Sequence, residues 1–194
     1  MTAIPIEPEL LLYPLDWTVS QYERMVDGGI LGPEDRIELL FGKIVTNLST
    51  GDRHSFCVQE LNYYMIRNFG ERFVGRQEQP ISLLPHSVPE PDYALVTMCA
   101  DRYRNRKPTA EDIHLVIEVA DSTLSRDQTT KARLYGTFGI PEYWIINLVD
   151  DRLEVHTEPD AQSGGYGRVE YFGVRDQFVS LSVGDIAVAA ILPI

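Results

Sequence analysis

Three side chains in this sequence have the chemistry of a phosphodiester-cleaving metal site: Asp92, Glu118 and Lys131. Two carboxylates offer the hard oxygen ligands that Mg²⁺ or Mn²⁺ takes. A bound divalent ion activates water and offsets the charge that builds on phosphate, and a nearby lysine can orient the water or stabilise the transition state. Each residue also has a structural explanation. Glu118 and Lys131 could form a plain ion pair. Asp127, four residues before Lys131, could pair with it along a helix for a few tenths of a kcal/mol. Glu118 is the hardest of the three to explain structurally, because a carboxylate within an apolar strand is costly unless paired or metal-bound.

The elements that must position these residues follow from the pattern. Ile113 to Val119 is too apolar for a half-exposed strand and reads as a central one, covered on both faces. Alternation puts Glu118 on the face of Val116 and Ala120, opposite Ile117 and Val119. Asp121, Ser122 and Thr123 make the turn. Ser125 is a plausible N-cap for a helix from Arg126 to Phe138, stopped by Gly139 and Pro141. On that helix Asp127, Lys131 and Tyr135 share a face, beside a stripe of Leu134 and Phe138. Tyr143 to Leu148 returns as a strand and turns at Asp150-Asp151 into Arg152 to Thr157. Asp92, after Pro91, stands at the mouth of a short strand, Tyr93 to Thr97.

Upstream, Thr18 with Gln21 forms a capping box for a helix that ends near Asp27. Residues 36 to 48 read as two strands turning at Gly42. Glu38 lies in the first, either as an exposed strand residue or as part of the site. Gly51 to Gly70 reads as a helix with Phe56, Leu61, Tyr64, Met65 and Phe69 at helical spacing. His54, in its first turn, and Ser122 are possible supporting residues. Strand-like runs follow at RFVG and QPISLL. Beyond a loop at 158 to 167, the runs VEYF, FVSL and IAVAAIL read as additional C-terminal strands.

Bulk properties set limits. The chain has 194 residues and ordinary globular composition, so the expectation is a single domain over 1–194 with residues 1–16 as an extended arm. A net charge of -12 argues against a protein that coats nucleic acid with its whole surface. The one dense basic run, residues 101 to 108, supplies candidate nucleic-acid contacts in Arg102, Arg104, Arg106 and Lys107. Two cysteines exclude a disulfide framework. There is no secretory signal and no apolar stretch long enough to span a bilayer, which points to a cytoplasmic protein with no membrane partner. Phosphate-binding glycine loops and a nucleophile elbow are absent, and His54, His86, His114 and His156 lack metal-ligand spacing.

The ordered segments PEPDYALV, LVIEVADST and TTKARLYGTFGIPEYWIINL resemble the Uma family of restriction-endonuclease-like proteins, itself similar to the PD-(D/E)xK nuclease superfamily. RIELLFGKIV and His54 match that family's N-terminal pattern, and the resemblance spans about residues 18 to 158. It implies an α/β (α+β) restriction-endonuclease-like fold, a mixed β-sheet core flanked by helices. It implies Asp92 as the aspartate of the PD motif, Glu118 as the second acid, and Glu38 as an additional metal-site acid. The superfamily lysine would fall two residues after Glu118, where this chain has Ala120. The resemblance instead assigns the role to Lys131 on the following helix. The implied activity is a Mg²⁺-dependent (or Mn²⁺-dependent) endodeoxyribonuclease acting on DNA, expected as a homodimer. The alternative is a catalytically inactive nuclease-fold protein that serves as a binding or regulatory module.

Overall fold

The computed structural model describes residues 15–46 and 51–192. Most of the expected N-terminal arm therefore lies outside the described residues. Thr18 does cap the first helix, α1 (Val19–Asp27), with the reciprocal Gln21 contacts of a capping box. Strands β1 (Ile37–Leu40) and β2 (Lys43–Thr46) form an antiparallel hairpin through Gly42, whose φ of 76° suits the turn. Helix α2 (Asp52–Phe69) runs between Gly51 and Gly70 as expected.

A six-stranded sheet positions everything else. It contains β3 (Phe73–Gln77), β4 (Tyr93–Thr97), β5 (Ile113–Ala120), β6 (Glu142–Asn147), β7 (Arg152–Pro159) and β8 (Tyr166–Gly173), in that spatial order. Only β5 and β6 run parallel, and every other neighbouring pair is antiparallel. That parallel pair needs a crossover, and helix α3 provides it. α3 runs in three continuous pieces: Leu124–Arg126, a π-helical turn Asp127–Lys131, and Ala132–Thr137.

The two sheet faces bury different helices. Cys57, Val58, Leu61, Met65 and Phe69 of α2 pack on Leu95, Leu115, Ile117, Val119, Trp144 and Ile146. The hairpin of β9 (Gln177–Ser180) and β10 (Gly184–Ala187) covers more of this face through Phe178, Val183 and Ile186. On the opposite face Ala132, Leu134 and Tyr135 of α3 pack on Ala94, Val96, Val116, Ala120, Tyr143 and Ile145. A third cluster joins α1 to the β1–β2 hairpin through Val19, Tyr22, Leu39 and Val88.

Several expectations need correction. Phe56 is 54% exposed, because Cys57 and Val58, four and three residues before Leu61, already fill the buried stripe. QPISLL forms no strand of the sheet. Pro80 and Pro85 bracket it, and it makes only isolated bridges, Ser82 to Thr109 and Leu83 to Ser87. Ser125 is not an N-cap. α3 begins one residue earlier, and the Ser125 carbonyl accepts from Thr129 Oγ1 inside the helix. IAVAAIL leaves the strand at Ala187 for a helical turn, because Val188, Ile191 and Leu192 are buried at helical spacing. The loop expected at 158 to 167 is shorter, since β7 extends to Pro159 and β8 starts at Tyr166.

Candidate active site

β4 and β5 are antiparallel neighbours, so the entrance to β4 meets the C-terminal half of β5, with Tyr93 opposite Ile117. Asp92 and Glu118 therefore lie side by side and are cross-bonded. The Asp92 N–H donates to Glu118 Oε2 at 3.4 Å, and the Val119 N–H donates to Asp92 Oδ2 at 2.7 Å. α2, on the far sheet face, reaches over the strand ends and brings His54 Nε2 to 3.2 Å from the same Asp92 Oδ2.

Lys131 arrives from α3. Its ammonium donates to Glu38 Oε1 at 2.6 Å and to Glu118 Oε1 at 3.1 Å. The π-helical turn ends on this lysine, with the Ala132 N–H reaching back five residues to the Asp127 carbonyl. Such turns are rare and recur at functional sites. The Asp127 carbonyl also accepts from the Tyr143 hydroxyl at 3.1 Å, which pins the wide turn to β6. After Thr137, Gly139 adopts φ 69° and the N–H groups of Gly139 and Ile140 bond back to Gly136 and Tyr135, so α3 stops with a left-handed cap.

Glu38 is fully buried rather than exposed, and β1 delivers it from outside the six-stranded sheet. Besides Lys131, its Oε1 accepts from the Glu90 N–H at 2.6 Å. Glu38 Oε2 and His54 Nδ1 are buried and have no hydrogen-bond partner among the described residues. Asp127 belongs to the same neighbourhood. It is buried, accepts from Thr123 Oγ1 at 2.5 Å, and acts electrostatically on Glu118 and Lys131.

The charges do not balance. Glu38, Asp92, Glu118 and Asp127 surround one lysine and a histidine. Burial pushes the Glu118 carboxyl up to about 8, against the pull of Lys131, and Asp92, Asp127 and Glu38 push the same way as burial. Burial likewise pushes Asp127 up to about 6. Burial alone would lower Lys131, but Glu118 and Glu38 override it and hold the ammonium above its usual range. The lysine keeps its proton, and the acids remain short of positive charge. A divalent cation between Asp92 and Glu118 is the chemical group this donor set fits: hard oxygens, excess negative charge and an unsatisfied carboxylate oxygen nearby. No cluster of three or more potential ligands encloses a cation site among the described residues.

Thus Glu38, His54, Asp92, Glu118 and Lys131 are brought together from β1, α2, β4, β5 and α3. Ser122 is not. It is exposed in the turn before α3, and Thr123 makes the hydrogen bond into the cluster instead. The alternative Asp127–Lys131 pair does not form, because the Lys131 ammonium turns to Glu38 and Glu118. Sequence reasoning missed Tyr135, which donates to Glu118 Oε1 at 2.7 Å. Its position four residues after Lys131 was the available signal.

The basic run divides in two. Arg106 pairs with Asp112 and lies over the Tyr103 ring, and Lys107 pairs with Glu23 at 2.7 Å. Arg102 and Arg104 are exposed. Lys107 also lines a cleft of about 330 Å³ with Tyr22, Pro80, Val88 and Glu90. Through the Glu90 N–H that cleft adjoins Glu38. Among the described residues no helix is long and apolar enough to cross a membrane.

A family profile, Uma2, described as "Putative restriction endonuclease", matches residues 19–189. Among solved structures the chain is similar to the crystal structure of a "putative nuclease belonging to DUF820" from Anabaena variabilis ATCC 29413, with a TM-score of 0.64. The match covers 92% of this chain and 98% of that one at 14% identity, so the likeness is one of fold. No curated protein matches the chain.

Proposed function

The chain belongs to the Uma2 restriction-endonuclease family, and on that premise we propose that it is a Mg²⁺- or Mn²⁺-dependent endonuclease that hydrolyses DNA phosphodiester bonds at the Asp92–Glu118 site. One observation carries the reading. Two cross-bonded carboxylates sit amid a surplus of buried acids, and burial, with the neighbouring acids adding to it, pushes Glu118 up to about 8.

In this reading Asp92 and Glu118 hold the ion, with Glu38 as a neighbouring acid. When bound, the ion supplies an activated water and charge neutralisation at the phosphate. His54 and the Val119 N–H both engage Asp92 Oδ2, which fixes that carboxylate and leaves Oδ1 for ligation. Lys131 is 1% exposed and held between two acids, so it acts from inside as a fixed counter-charge on Glu118. Substrate approaches the open side, where the Asp92 side chain keeps 17% of its exposure. Arg102 and Arg104 are the cations of the basic run available to a DNA backbone.

Plasmid nicking with Mg²⁺ or Mn²⁺ tests this. Asp92→Ala and Glu118→Ala should each lower the rate by at least about 100-fold. Cleavage that persists in both variants would reject the site. The buried, doubly engaged Lys131 favours a second reading, in which the fold serves as a non-catalytic binding module. Calorimetric titration with Mn²⁺ separates the two, because a pure binder has no need of an ion that Asp92→Ala abolishes.

A further inference from the structure

Two donors on α3 converge on a single oxygen of Glu118. Lys131 Nζ donates to Oε1 at 3.1 Å, and the Tyr135 hydroxyl donates to the same atom at 2.7 Å. Oε2, on the Asp92 side, accepts only a backbone N–H at 3.4 Å among the described residues, close to the limit of a hydrogen bond. The carboxylate is thus held asymmetrically: one oxygen is saturated from the helix, and the other is turned toward Asp92. We propose that Tyr135 is a positioning residue, which locks Glu118 so that Oε2 is presented for divalent-metal ligation beside Asp92. The inference rests on the metal-site reading above and extends it to a residue with no ligand role of its own.

The surroundings fit that task. Tyr135 is fully buried, and its ring packs against Tyr143 at 5.0 Å between centroids. The ring therefore has no freedom to swing the hydroxyl away. Burial and the adjacent Glu118 keep the phenol protonated, so it remains a donor. Lys131 cannot do the job alone. Its shorter contact, 2.6 Å, is to Glu38, and a rotatable ammonium constrains the carboxylate plane less than a fixed phenol does. Hydrogen bonds that orient metal-binding side chains are commonly worth 10- to 100-fold in affinity.

The experiment compares Mn²⁺ binding by calorimetry for the wild type, Tyr135→Phe and Tyr166→Phe, with thermal melting of each metal-free protein. Tyr166 is the control. Its ring stacks on Tyr143, but its hydroxyl bonds the Ile140 carbonyl, outside the π-helical turn, instead of a carboxylate. The expected result is Mn²⁺ binding weakened about 10-fold or more in Tyr135→Phe and less than about 3-fold in Tyr166→Phe, although both variants lose thermal stability. In nicking assays Tyr135→Phe should raise the Mn²⁺ concentration for half-maximal rate more than it lowers the rate at saturating metal. If Tyr135→Phe binds Mn²⁺ like the wild type, or no more weakly than Tyr166→Phe, the positioning role is overturned and the metal site stands. If the wild type binds no Mn²⁺, the metal-site reading falls and this inference falls with it.

Discussion

At the residue scale, Glu118 sets the pH behaviour. Its carboxyl ordinarily titrates near 4.5 and is held near 8 in the folded chain, chiefly by burial. Between those values the native state keeps a proton that the unfolded state has lost. Stability of the metal-free protein should therefore fall as pH rises through that window, by up to about 1.4 kcal/mol per pH unit. Glu118→Gln removes the titration and keeps an amide oxygen for Tyr135. The melting temperatures of wild type and Glu118→Gln should be close at pH 4.5, with the variant increasingly more stable toward pH 8. A constant gap across that range would show that Glu118 is charged in the fold. His156 has the opposite sign. Burial between Tyr143 and Tyr166 pushes it down to about 4, so its contribution is lost as pH falls from about 6.5 toward 4. The two effects should give a stability maximum on the mildly acidic side of neutrality.

At the element scale, α3 is the part that the site can least afford to shift. Lys131 and Tyr135 both point from it to β5, and the π-helical turn sets their height along the strand. Its seat depends on Gly136. A Cβ built there would lie 1.9 Å from the Gly165 carbonyl oxygen in the β7–β8 connection, with Gly165 Cα at 2.5 Å. Both obstacles are backbone, so the helix or the loop must move. Gly136→Ala should cost about 1–3 kcal/mol despite alanine's better helix propensity. It should also weaken Mn²⁺ binding, because the displaced helix carries Lys131 and Tyr135. Chemical denaturation checks the first effect and calorimetry the second. A neutral or stabilising Gly136→Ala would mean that the close approach is not maintained in solution.

At the scale of the whole molecule, a net charge of -12 opposes the approach of a polyanion. Two of the four basic-run side chains are further committed, Arg106 to Asp112 and Lys107 to Glu23. DNA binding should therefore be weak, strongly salt-dependent and carried by few phosphate contacts. Replacing Arg102 and Arg104 together by alanine should lower affinity uniformly across sequences and reduce the salt slope by about 2. A slope unchanged in the double variant would place the DNA path elsewhere on the surface.

Much of the architecture was legible in the sequence, because it rests on local signals. The Thr18–Gln21 capping box, the Gly42 turn, the Gly139-Pro141 stop and the apolar run around Glu118 each act within a few residues. Alternation along β5 put Glu118 on the face of Val116 and Ala120, and the packing then showed that α3 covers that face. Reading failed where local and tertiary terms compete. The N–H groups of Ile81, Ser82 and Leu83 in QPISLL bond to loop carbonyls of Pro89, Pro108 and Ser87 and not to a sheet neighbour, and a π-helical turn has no sequence signature comparable to a cap. The candidate site shows the same division. Asp92, Glu118 and Lys131 stood out because each is a charge beside or within apolar sequence. Glu38 and His54 could not be sorted from surface residues, because their burial depends on a β1–β2 hairpin and an α2 helix that dock from distant parts of the chain. Only its spacing from Lys131 pointed to Tyr135, since a buried tyrosine at helical spacing ordinarily signals core. Which oxygen of Glu118 it saturates is decided only when helix and strand are packed. A hydrogen bond depends on tenths of an ångström that no spacing in the sequence encodes.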